Sequence, residues 1–139
     1  VPAYKQSSAN LPITALYPGA SVDVFSAEAV TNAERSQAVA LSNYPIGSGT
    51  QLSLDLVFSG APGAFTFNIT FAAKDVAADY AMPLATETPL TTWQVTQADL
   101  DPVNQAVHVD LPFVNARFVS LYVVAAPANS VTVTATLKR

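Results

Sequence analysis

Leu52-Ser53-Leu54-Asp55-Leu56-Val57-Phe58, followed after a short connection by Phe65-Thr66-Phe67-Asn68-Ile69-Thr70-Phe71, is the stretch on which the fold turns. Successive side chains of a strand point to opposite faces, so a period of two marks a strand with one buried face. Leu52, Leu54, Leu56 and Phe58 are expected in the core, with Ser53 and Asp55 outward. The second run repeats the pattern with Phe65, Phe67, Ile69 and Phe71 inward and Thr66, Asn68 and Thr70 outward. The connection Ser59-Gly60-Ala61-Pro62-Gly63-Ala64 is rich in turn formers and predicts a hairpin with a wet, neutral face.

Toward the C-terminus the same signal recurs. Trp93 and Val95 mark a strand, Asp99-Leu100-Asp101-Pro102 a turn, and Val107, Val109 and Leu111 a strand with His108 and Asp110 outward. Phe118 to Val124 is almost continuously apolar, as expected of a strand covered on both faces. Val131, Val133, Ala135 and Leu137 alternate with Thr132, Thr134 and Thr136. Toward the N-terminus, Ala20 to Ser26 and Gln37 to Leu41 are strand candidates, and Ala27 to Ser36 suits either a strand or a helical turn. Residues 72–91 lack alternation and hold Pro83 and Pro89, which predicts a long excursion with room for a helical turn over Lys74 to Tyr80. Pro2, Pro12 and Pro18 punctuate residues 1–19, read as an extended N-terminal arm preceding one domain over 20–139. Seven to nine short strands without a long amphipathic helix predict an all-β protein, an antiparallel β-sandwich or jelly roll.

Composition narrows the function classes. Only 12 % of the 139 residues are charged, about half the usual fraction near 25 %, while 50 % are apolar. A net charge of −4 with six scattered basic residues gives no patch for phosphates, so nucleic acid is not an expected partner. No apolar run approaches the ~20 residues of a membrane-spanning helix, so no membrane partner is expected either. Val1 to Lys5 lacks the apolar region of a signal peptide. Without cysteine there are no disulfides and no thiolate metal site. A surface so poor in charge is solvated by neutral polar groups or covered by neighbouring subunits, and the second predicts a homo-oligomer, with a trimer the leading expectation.

Chemistry-bearing groups are few. His108, the single histidine, is flanked by inward valines and reads first as a surface strand residue rather than a catalytic base. Asp99, Asp101 and Asn104 have a spacing that suits part of a calcium loop, or simply a turn. Asp75 and Asp79 read as solvated loop carboxylates before they read as a glycosidase pair. Tyr17, Tyr44, Tyr80 and Trp93 lie at or near loops, where exposed rings would stack on sugar or a partner. Asn68-Ile69-Thr70 matches a glycosylation sequon inside a predicted strand, where chance is the better reading. Leu11, Ile13, Leu16 and Tyr17 would let the arm dock on a partner. No catalytic residue, metal or cofactor is predicted.

From about Phe65 onward the chain resembles the small jelly-roll proteins that decorate tailed-phage heads, and more distantly discoidin-type modules. The carriers are the Phe65–Phe71 strand running into an Asp-containing loop that ends at Tyr80, then Ala116-Arg117-Phe118-Val119-Ser120-Leu121-Tyr122-Val123, and the Thr/Val-rich final strand. The resemblance implies a non-enzymatic cement protein, often trimeric, that clamps neighbouring subunits of the major capsid protein on the outer surface of a virion. An extracellular carbohydrate-binding module and a tail or baseplate component remain the alternatives.

Overall fold

The computed structural model describes residues 3–5, 11–41, 50–73, 79–82, 93–111 and 117–138. Its strands are β1 (Tyr4–Lys5), β2 (Ile13–Ala15), β3 (Ser21–Glu28), β4 (Glu34–Arg35), β5 (Ala38–Ala40), β6 (Gln51–Phe58), β7 (Thr66–Ala72), β8 (Gln94–Thr96), β9 (Ala106–Asp110), β10 (Phe118–Ala125) and β11 (Val131–Lys138). They form two sheets packed face to face. The smaller sheet runs β3-β11-β6-β9, antiparallel throughout. In the larger sheet β10 is central, with β7 and then β8 on one flank. On its other flank β4 and β5 lie end to end, backed by β1 and β2 respectively. Every pairing is antiparallel except β2 with β5.

The alternation does what its period requires. Leu52, Leu54, Leu56 and Phe58 on β6 and Val131, Val133, Ala135 and Leu137 on β11 are buried, facing Phe67, Ile69, Val119, Leu121 and Val123 of the larger sheet. The chain is a β-sandwich whose main core lies between the two sheets.

Three sequence expectations change. First, β6 and β7 do not form a hairpin: β6 is paired on both edges by β11 and β9, and β7 belongs to the other sheet. The connection therefore crosses from one sheet to the other, helped by Gly63 at φ +67°. Alternation specifies which face is buried but not which strand lies alongside, and two apolar faces are buried equally well opposite each other as side by side.

Second, the described part of residues 1–19 is not a detached arm but edge strands of the larger sheet. Leu16 belongs to the main core, and Leu11 packs with Ala38, Ala72 and Tyr80 in a small second cluster. Burying two leucines outweighs the lost ladder donors, and Pro12 needs no N–H because it contributes its carbonyl, which accepts from Ala38 N–H at 2.8 Å.

Third, the ambiguous 27–36 segment is not helical. Ala27 and Ala33 have φ of 48° and 66°, incompatible with a right-handed turn, and Ala33 N–H is taken by the Val123 carbonyl at 2.8 Å. For the 74–80 turn, residues 74–78 lie outside the described residues. The double cover expected of the 118–124 strand is found at Ser120, 2 % exposed, whereas Val124 at its end is 44 % exposed.

Candidate functional site

The outer face of the smaller sheet carries a linked group of polar side chains. Register places Asp23, Thr134, Asp55 and His108 in one row across β3, β11, β6 and β9, and Ser21, Thr136, Ser53 and Asp110 in the next. The rows are tied together. His108 sits between two carboxylates, Nδ1 at 2.5 Å from Asp55 Oδ1 and Nε2 at 3.0 Å from Asp110 Oδ1. Ser53 Oγ donates to that same Asp110 oxygen at 2.5 Å, and Lys138 Nζ lies 3.4 Å from it. Thr134 Oγ1 donates to Asp23 at 2.7 Å.

An imidazole with a carboxylate at each nitrogen is favoured in its doubly protonated form. The Asp55 hydrogen bond is the main cause raising the His108 pKa, partly opposed by desolvation and assisted by Asp110. Asp110 is held below its ordinary value chiefly by the Ser53 hydroxyl, with His108 and Lys138 assisting. Ser53 and His108 do not form a nucleophile–base pair. The hydroxyl bonds a carboxylate rather than an imidazole nitrogen, and both ring nitrogens are already engaged. The arrangement is a charge cross-tie between β6, β9 and β11.

Two shallow hollows flank His108. One of about 330 Å³ opens where β8 and β9 end the two sheets, lined by Gln94, Val95, Asp99 and the 107–110 segment. The other, about 200 Å³, lies against Asp55, Val57, Asp101 and Asn104.

The remaining sequence candidates are dispersed. Asp99 accepts the Thr96 N–H at 2.9 Å, and Asp101 accepts Val103 N–H at 2.9 Å and Asn104 Nδ2 at 2.8 Å, so both carboxylates close their own turns. Those two turn contacts, Asn104 first, also hold Asp101 below its ordinary pKa. Among the described residues no cluster of three or more His, Cys, Asp or Glu could hold a metal.

Two of the expected loop aromatics are corrected to interior positions. Trp93 is fully buried, edge-on to Phe71 with centroids 5.0 Å apart, and Tyr80 is 5 % exposed. Both are large apolar rings next to short strands, and the core offers them more contact than a loop tip. Tyr17, 63 % exposed, and Ile13, 44 % exposed, remain at the surface, while Leu11 and Leu16 are buried. Tyr44 and Asp75 lie outside the described residues, and Asp79 is exposed. Asn68 is held mid-strand by Gln94 Nε2 at 2.9 Å.

One residue carried no sequence signal. Arg35, 3 % exposed, lies on the outer side of the larger sheet with its guanidinium 5.4 Å from the Tyr80 ring centroid and 4.8 Å from that of Tyr122. It donates to Thr70 Oγ1 at 2.8 Å and to the Tyr80 carbonyl at 3.4 Å, and the Thr70 hydroxyl in turn donates to the Ser120 carbonyl at 2.6 Å. Burial lowers its pKa, opposed by the two tyrosines.

Among the described residues no helix is long and apolar enough to cross a membrane. Neither a protein-family model nor a curated protein matches the chain.

Proposed function

We propose that the protein is a non-enzymatic structural component of a virion, a decoration or cement protein on the outer surface of the capsid that binds neighbouring subunits of the major capsid protein and copies of itself. The strand order carries the reading. One sheet is β3-β11-β6-β9, the other aligns β4/β5 with β10, β7 and β8, and the chain repeatedly changes sheet as it advances. We read this as the jelly-roll order, an architecture that recurs in viral shells and in lectins; the step from fold to shell is one of analogy. The neutral Ser21, Thr134 and Thr136 on the outer face of the smaller sheet add support, because such groups recover most of their burial cost once hydrogen-bonded to a partner.

The lectin-like alternative is weakened by the burial of Tyr80 and Trp93. The test follows the protein through a density gradient of the lysate that produces it. A shell component travels with a large icosahedral particle and ignores immobilised glycans. A protein that stays at the top of the gradient but is retarded by a defined glycan belongs to the carbohydrate class.

A further inference from the structure

We propose that the free edge of β9 binds a second copy of this chain, the two β9 strands pairing antiparallel about a two-fold axis at Val109 so that His108 of each copy lies opposite Asp110 of the other. This rests on the self-association in the preceding reading and specifies its surface and symmetry.

The backbone shows which groups are free. Leu111 N–H donates to the Leu52 carbonyl and Phe58 N–H to the Gln105 carbonyl, both at 3.0 Å. Odd-numbered residues of this stretch therefore turn their peptide groups toward β6, and the even-numbered ones turn theirs away. Ala106 is already engaged on that outer side, exchanging hydrogen bonds with Asp101 at 2.9 and 3.4 Å. That leaves His108 and Asp110, whose outward N–H and C=O meet no backbone partner among the described residues.

Natural edges are normally blunted by bulges, lysine, proline or a covering loop. The opposite edge of the same sheet fits that rule: β3 changes register twice against β11 and contains Ala27 at φ 48°. β9 does not fit it. Ala106-Val107-His108-Val109-Asp110 stays in unbroken register with β6, contains no lysine or proline, and has an open hollow of about 330 Å³ beside it.

The free groups are self-complementary in one register. An axis at Val109 sets 108 against 110 twice, which satisfies four backbone groups on each copy with four hydrogen bonds and places an imidazole across from a carboxylate at both ends. An axis at His108 would set imidazole against imidazole and require the Ala106 groups that Asp101 already holds. The contact is isologous, so it closes on itself and yields a pair rather than a fibre.

The experiment is size exclusion with light scattering on the full chain and on His108→Asp and Asp110→Lys, both exposed positions, with circular dichroism to verify the fold. The wild type is expected at twice the chain mass. Each variant alone sets like charges against each other at the axis and is expected as a monomer. An equimolar mixture is expected to regain a dimer containing one copy of each, read by native mass spectrometry. On the wild type itself, amide exchange at His108 and Asp110 should slow at high concentration and quicken on dilution, which tests the pairing without any variant. A wild type that is monomeric or three-fold, variants that stay dimeric, or a mixture that stays monomeric overturns the proposal. A monomer that still travels with particles sinks this pairing and leaves the shell reading standing.

Discussion

Phe58 and Phe65 pack at a tilt of 46° with ring centroids 4.7 Å apart, although one closes β6 and the other leads into β7 on the opposite sheet. Phe67 extends the contact, 5.5 Å from Phe65 and 6.4 Å from Phe25 of β3, so the aromatic rings join the two sheets at this end. Replacing Phe67 with Ala is expected to cost about 3–5 kcal/mol in urea unfolding. A double-mutant cycle on Phe58 and Phe65 should give a coupling of about 0.5–1.5 kcal/mol, and no coupling would separate the two rings.

Removal of residues 1–16 is expected to destabilise the sandwich rather than free it of an appendage. Leu11 and Leu16 are 3 % and 4 % exposed, and each contributes on the order of 2–5 kcal/mol by the usual cost of Leu→Ala in a core. Circular dichroism of the truncated chain should show a much lower melting temperature. An unchanged one would return these residues to the status of a detachable arm.

Arg35→Lys is expected to lower stability by roughly 1–3 kcal/mol despite conserving charge, because an ammonium cannot lie flat against the Tyr80 and Tyr122 rings while donating to Thr70. Chemical denaturation measures it. A neutral result would mean that the planar stacking adds nothing.

Stability should depend on pH through His108. Its folded-state pKa is raised, so its contribution is complete below the unfolded value near ~6.5 and is lost as pH rises through the folded value. Asp110 is depressed, so its contribution is present above about 3.9 and is lost as pH falls through the folded value. The cross-tie is therefore intact in a mildly acidic window between those limits, and the melting temperature should fall on the alkaline side. His108→Gln should flatten that alkaline decline. Parallel wild-type and variant curves across neutral pH would remove His108 as its cause.

Much of the fold was legible because alternation is a local signal: the inward positions of β6, β7, β9 and β11 follow from period two alone. Partner choice was not legible, since nothing within Leu52–Phe71 says whether the two runs lie side by side or face to face. The cross-tie was half legible. His108 and Asp110 stand two apart on one strand, but Asp55 and Ser53 reach them only through the register of β6 with β9. Arg35 was opaque because its partners, Thr70, Tyr80 and Tyr122, come from three distant segments. Trp93 and Tyr80 misled because proximity to a loop in sequence does not set the direction of a ring.

The last two strands, β10 and β11, occupy interior positions, β10 between β4/β5 and β7, and β11 between β3 and β6. The larger sheet cannot close before β10 has left the ribosome, nor the smaller before β11, so β6 and β7 wait unburied while the residues between them and Lys138 are made. Such long-range closure makes for slow folding and a prolonged exposure to chaperones and proteases. A break in the chain before Val131 removes an interior strand of the smaller sheet, so no shorter piece of residues 1–138 keeps both sheets whole.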